Sequence, residues 1–206
     1  MRTWVIGVAF LVTSSAMAQT LALEVALGAP DALAYRGSFE LDAGRAILRG
    51  SLIRGDGHQR IDAWTPAGLV TVVSAYEAAT ATIIVPARQA YLTVPLDTPG
   101  LADYFPDPRD HSEVAISGVE ETDEIDDVEA ERRTITGVTA DGVAYSAEVW
   151  TSGEGAVLLV EGATATGEEF EFELEDFELA APAKTAFDIP AGYSEAASLA
   201  ALGIGF

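Results

Sequence analysis

The sequence predicts a mainly β protein assembled from antiparallel hairpins, and three observations predict it. The first is Glu168–Leu179, EEFEFELEDFEL, where Phe170, Phe172 and Leu174 alternate with Glu169, Glu171 and Glu173 without exception. Successive strand side chains point to opposite faces, so this stretch is a strand with one greasy face and one acidic face. A helix would scatter the phenylalanines around its circumference. The second observation is the spacing of turn residues such as Gly55-Asp56-Gly57 and Gly153-Glu154-Gly155 between runs rich in Val, Ile and Thr. The third is that helix-compatible patterning is confined to the two ends and to one proline-rich crossover.

The elements follow in order. Thr20–Tyr35 carries apolar residues without strict alternation and predicts a short helix broken near Gly28-Ala29-Pro30, with Asp31 placed to cap a restart. From Arg36 the period is two. Ser38–Leu41 leads through Asp42-Ala43-Gly44 to Arg45–Arg54, then through Gly55-Asp56-Gly57 to His58–Trp64. Thr65-Pro66-Ala67-Gly68 turns into Leu69–Ala75, and Thr80–Val85 with Ala90–Val94 makes another hairpin. Sequential antiparallel pairing is the economical topology for such a series. Pro95–His111, with four prolines, predicts a crossover holding at most one helical turn around Leu101–Tyr104. Strands resume at Val114–Val119, Arg132–Thr136, Val143–Thr151 and Ala156–Val160. The dense carboxylate run Glu120–Glu129 between the first two reads as a solvated bend.

Glu168–Leu179 closes the set. Past Glu175 its phase slips, because Phe177 and Leu179 are odd-numbered where the earlier apolar residues are even. One extra residue near Glu175–Asp176 therefore has to be absorbed by a β-bulge. Ser194–Leu202 is compatible with a short amphipathic helix. The domain expected is a single one over residues 19–206, with a core over 36–193 and a short helix or tail at 194–206.

Residues 1–18 predict a cleaved leader: Arg2, an apolar run Trp4–Val12, and the small-residue site Ala16-Met17-Ala18, leaving Gln19 first. The apolar run is too short to span a bilayer, which needs about 20 residues. No cysteine is present. An exported chain without disulfides points to a bacterial periplasm or medium, and the same absence excludes thiol nucleophiles and Cys-based metal centres. Net charge is −22, and 22 of the 33 acidic residues lie in 112–206. Phosphate backbones and anionic headgroups are repelled by such a chain, so nucleic acid is not an expected partner. A basic protein or divalent cations remain open.

The search for chemistry is negative. The nucleophile elbow G-x-S-x-G is missing, the sole lysine is Lys184, and both Gly-x-Gly pairs lack the third glycine of a dinucleotide fingerprint. Asp110, His111 and Glu113 offer ligand atoms on a proline-flanked loop, and Glu120–Glu129 lacks the glycine of a calcium loop. No catalytic, cofactor or metal residue is assigned, and an enzyme is not expected. The aromatic residues Trp64, Trp150, Tyr91, Tyr145, Phe170 and Phe172 fall on separate strands, most of them expected in the core. With so little helix to cover a sheet, either the sheet closes into a barrel or one apolar face stays partly open.

Several segments carry a family resemblance: RIDAW and GLVTVV, ATIIVPARQAYLTVP, Glu121–Ile125, Glu148-Val149-Trp150, and the terminal Phe-x-Ile-Pro-x-Gly-Tyr at Phe187–Tyr193. They resemble uncharacterised bacterial exported domains that are similar in turn to the periplasmic lipoprotein carriers of the Lol system (LolA/LolB-like). The resemblance implies a single curved antiparallel sheet, an incomplete barrel with a few short helices, whose apolar hollow holds acyl chains. The expected function is thus a periplasmic or secreted binding protein for a lipid or other hydrophobic ligand, lined by Ile61, Ile83, Val85, Leu92, Phe170 and Phe172. The alternative is a non-enzymatic envelope interaction protein whose acidic surface meets a basic partner or divalent cations.

Overall fold

The computed structural model describes residues 23–24, 26–30, 32–42, 47–65, 68–96, 98, 114–138 and 143–203. The leader expected over 1–18, the crossover around Leu101–Tyr104 with His111, and the turn at Ala140-Asp141-Gly142 lie outside them. Six strands follow one another as an antiparallel meander: β1 (Tyr35–Asp42), β2 (Ile47–Gly55), β3 (His58–Thr65), β4 (Gly68–Ala75), β5 (Thr80–Val85) and β6 (Ala90–Pro95). After the two-residue β7 (Ala115–Ile116), a second meander comprises β8 (Glu121–Ile125), β9 (Val128–Val138), β10 (Ala144–Ser152), β11 (Val157–Thr164) and β12 (Glu169–Glu178). β12 pairs with β1 and joins the two meanders into one curved sheet, which does not close into a barrel.

β12 is the seam, and its sequence explains why. Phe172 lies opposite Leu41 on β1 and Val160 on β11, so one apolar residue serves both neighbours. The phase slip is a bulge: Arg36 pairs with Glu178 and Ser38 with Glu175, setting one residue of β1, Gly37, against two of β12, Asp176 and Phe177. Asp176 absorbs the extra residue at φ 52°, a left-handed conformation that aspartate tolerates better than most side chains. The Ser38 hydroxyl donates to its Oδ2 at 2.8 Å. Beyond the bulge Phe177 turns back toward the apolar side, its ring 5.6 Å from that of Tyr35.

Two expectations are corrected. The acidic run is not a loose bend but the hairpin β8–β9, turned by Asp126 and Asp127 at φ 48° and 64°. A two-residue turn with both centres left-handed matches the twist of paired strands, and Arg132 offsets part of the repulsion by bridging Glu121 and Glu148. The helix expected at Ser194–Leu202 is instead β13 (Ser194–Glu195), parallel to β6, followed by turns. Its Ser194 and Ala196 N–H groups bond carbonyls of Gln89 and Tyr91, which an edge strand leaves free. Over residues 20–35, the described part of the helix is one turn. It ends in a Schellman arrangement with Gly28 at φ 84° and Ala29 N–H bonded to Glu24 C=O at 2.8 Å.

The Phe187–Tyr193 motif carries the chain from β3 to the edge strand β6. Phe187 stacks on His58 with centroids 5.0 Å apart, and Arg60 Nη1 donates to Ala186 C=O at 2.9 Å. A turn closed between Tyr193 N–H and Pro190 C=O then leads into β13.

Candidate functional site

Register assigns every strand residue to a face. Across β2 to β6, Leu52, Ile61, Val72, Ile83 and Leu92 lie opposite one another in a single row. Val85 stands two residues from Ile83 on the same side, and Phe172 and Phe170 join that side through Leu41 and Leu48. All six residues singled out in the sequence thus share one apolar face. They fall into two packed groups. Ile61, Phe170 and Phe172 belong to a cluster that includes Phe39, Leu41, Leu174, Val149 and Val160. Ile83, Val85 and Leu92 belong to a second, where Ala196, Leu199 and the buried Leu202 of the C-terminal segment lie against them. Arg88 helps to hold that segment by donating to Ala201 C=O at 3.2 Å.

The floor of this face is lowered by glycines. Phe39 is the cross-strand partner of Gly50, Phe170 of Gly162 and Tyr145 of Gly137. A Cβ on Gly50 would come within 2.8 Å of the Phe39 ring, and one on Gly137 within 2.6 Å of the Tyr145 hydroxyl. The rings therefore lie over bare backbone instead of standing above the sheet. At the β9–β10 margin the face meets a cleft of about 750 Å3. Leu27, Pro30 and Leu33 of the N-terminal turn border it on one side, and Arg133, Thr151 and Leu179 on the other. None of the six residues lines it. Arg133 nonetheless continues their face, paired with Val149 and through it with Val160 and Phe172. Its guanidinium is held by Glu131 at 2.6 Å and Thr151 at 3.1 Å.

One row of the apolar face is polar. Tyr35, Arg54, Gln59 and Ser74 lie opposite one another and are all buried. The row is tied to the N-terminal turn by Glu24, whose side chain has 0% exposure. Glu24 accepts from Tyr35 Oη at 2.6 Å, from Val157 N–H at 3.0 Å and from Arg54 Nη1. Burial raises the Tyr35 hydroxyl above its ordinary pKa, as it must for a phenol that acts here as donor. The row leaves a signal in the sequence that strand periodicity alone does not flag as polar: Arg54 and Gln59 fall on the apolar phase of Leu48–Leu52 and Ile61–Ala63.

The opposite face carries the charge. Asp42, Glu171, Glu161 and Glu148 form one cross-strand row, with Glu40 opposite Glu173 in the next. Trp64 stands on this face at 67% exposure, contrary to its expected place in the core, because it lies out of phase with Ile61 and Ala63. Desolvation raises the Glu173 carboxyl above its ordinary 4.5, and Glu175, Asp126, Glu171 and Glu40 raise it further. An acid whose folded pKa is raised loses stability as pH climbs through the ordinary value toward the folded one. Glu173→Gln, which strand facing alone makes silent, is therefore expected to raise the melting temperature near neutral pH. The gain should vanish at about pH 4, where the carboxyl is protonated in both states, and shrink in molar salt. A melting curve unchanged near neutral pH would contradict it. Among the described residues no group of three carboxylates or histidines is arranged to hold a metal ion.

No family model and no curated protein matches this chain. Solved structures do. An uncharacterised conserved protein from Thermus thermophilus superposes with a TM-score of 0.57 at 10% identity, over 87% of this chain and 98% of that one. MucB superposes at 0.53 and 16% identity, over 87% of this chain and 64% of MucB. In the Pseudomonas aeruginosa MucA/MucB complex the values are 0.52 and 18%, over 86% of this chain and 61% of that one. The fold is shared. The chain spans less than two thirds of MucB, and what these likenesses establish is architecture alone.

Proposed function

We propose that the chain is an exported, non-enzymatic binding protein whose apolar sheet face holds a lipid or another hydrophobic ligand. In this reading Met1–Ala18 is removed on export to the periplasm or medium, and residues 19–206 act as one domain. The observation that carries it is the apolar face itself: a single sheet with no second sheet among the described residues, floored by flattened rings and meeting a ligand-sized cleft at its margin. In the half nearer the cleft Phe170 is the partly exposed residue that a ligand would meet, while Ile61 and Phe172 are already buried in the cluster it packs against. Ile83, Val85 and Leu92 line the other half, beneath the C-terminal segment, which has to lift for a ligand to reach them. The acidic face favours a second reading, an envelope interaction protein meeting a basic partner. The MucA/MucB complex shows a protein of this fold associated with another protein.

Native mass spectrometry of protein gently extracted from an expressing bacterium separates the two. A hydrophobic ligand should survive purification, because each buried methylene contributes roughly 0.8 kcal/mol. An adduct of lipid mass is expected on the unaltered protein and absent from Phe170→Asp, which places a charge on the half-buried floor. A clean ligand-free mass, together with no uptake of a fluorescent fatty acyl probe, would favour the interaction protein.

A further inference from the structure

The charged face of the sheet carries an apolar corner that a ligand on the opposite face does not explain. Ile47 is 55% exposed and Trp64 67%. Arg49 stands opposite Trp64 and two residues from Ile47, so Ile47 and Trp64 lie on one side of the sheet as diagonal neighbours across β2 and β3. Leu69, half-buried, is the partner of Trp64 on β4. None of the three belongs to either packed cluster. Single exposed hydrophobic residues are ordinary on a protein surface, but adjoining ones with a tryptophan among them are what contact sites expose.

The surroundings select the partner. Two cross-strand rows lead away from the corner: Trp64 is followed by Arg49, Glu40 and Glu173, and Ile47 by Asp42, Glu171 and Glu161. Arg49 is bridged by Glu40 at 2.5 Å. No ion pair among the described residues takes up Glu161 or Glu171. A second copy of a chain with net charge −22 would bring like charge against these carboxylates, and so would anionic headgroups. A basic segment brings cations instead, together with an apolar side chain for Trp64. β12 lies two strands from β2, and neighbouring strands are about 4.8 Å apart. Glu171 therefore stands roughly 10 Å from Ile47, the reach of about three residues of extended chain.

We propose that this corner docks a basic polypeptide segment. An aliphatic side chain of the partner packs on Trp64 and Ile47, while lysines or arginines about three residues away pair with Glu171 and Glu161. The proposal rests on the interaction-protein reading and gives it a surface. Because that surface is on the charged face, it leaves the apolar face free for a ligand.

Fluorescence anisotropy on the full chain tests it with three dye-labelled probes. The first is a short peptide with two central leucines and lysines three residues to either side. The second has serine in place of leucine and the same charge, and the third has glutamine in place of lysine. The unaltered protein should bind the lysine–leucine peptide about ten-fold more tightly than either control, and less tightly as salt is added. Trp64→Thr should bring that affinity down to the serine control, and Ile47→Thr should lower it in the same direction. Both residues are exposed, so both variants should melt close to the parent temperature. Glu161→Gln/Glu171→Gln should weaken both lysine peptides and leave the glutamine peptide unchanged. Equal binding of the leucine and serine peptides, or a preference that survives both Trp64→Thr and Ile47→Thr, overturns the docking corner and leaves the interaction-protein reading standing. Binding of neither lysine peptide overturns both. Attachment to phosphatidylcholine vesicles, or dimerisation in sedimentation, that is lost in Trp64→Thr gives the corner to a membrane or to a second copy and overturns the basic partner.

Discussion

Phe172→Glu is expected to unfold the protein or come close to it. The ring is 2% exposed, lies between Leu41 and Val160, and stacks on Phe39 with centroids 6.2 Å apart. Removing a buried phenylalanine costs about 3–5 kcal/mol by lost transfer energy and cavity formation. A carboxylate in its place adds the cost of an unpaired buried charge, and the total approaches the roughly 5–15 kcal/mol that holds a typical domain together. Glu173→Gln, one residue along and facing the other way, should unfold at or above the parent temperature. Urea denaturation followed by circular dichroism compares the two directly. Similar losses for both variants would mean that the faces of β12 are wrongly assigned.

That contrast also marks how much of the molecule is legible in its sequence. The alternation in Glu168–Leu179 states the two faces of β12 outright, and the slip after Glu175 states the bulge, because a period of two cannot change phase any other way. The hairpins turned at Gly55–Gly57 and Gly153–Gly155 are equally plain. Strand order is less so. β1 meets β12 through pairs such as Leu41 with Phe172, and nothing local in either strand names the other. The acidic run misleads for an electrostatic reason: eight residues from Glu120 to Glu131 are carboxylates, and repulsion argues for a loop until Arg132 is seen between Glu121 and Glu148.

The apolar face was half legible. Parity places Ile61, Ile83, Leu92, Phe170 and Phe172 on it once the pairings are known, since each is in phase with apolar neighbours. The covering of Ile83, Val85 and Leu92 was not legible. Leu199 and Leu202 reach them only because β13 pairs in parallel with β6, and Ser194-Glu195 has no strand pattern of its own. The flattened floor depends on the register that sets Phe39 against Gly50. A shift of one residue would put the ring against Arg49 or Ser51 instead.

The second large effect concerns the buried charge that anchors the N-terminal turn. Glu24 and Arg54 pair in the interior, and four elements converge on the carboxylate: the turn itself, β1 through Tyr35 Oη, β2 through Arg54, and β11 through Val157 N–H. Breaking a buried ion pair from one side typically costs about 3–5 kcal/mol, because the survivor is left charged and unpaired. Arg54→Met should cost that much. Glu24→Gln should cost as much again, although its carbonyl still accepts from Tyr35 and Val157, because it strands the guanidinium. The double variant Glu24→Gln/Arg54→Met has no charge left to strand, and an amide with one idle NH2 should cost only about 1–3 kcal/mol. The two losses are thus expected to be strongly non-additive, by several times the roughly 0.5 kcal/mol that independent sites show. Denaturant titrations of the four proteins measure this coupling. Additive losses would mean that Glu24 and Arg54 are not coupled to each other, each being satisfied by water or by other groups.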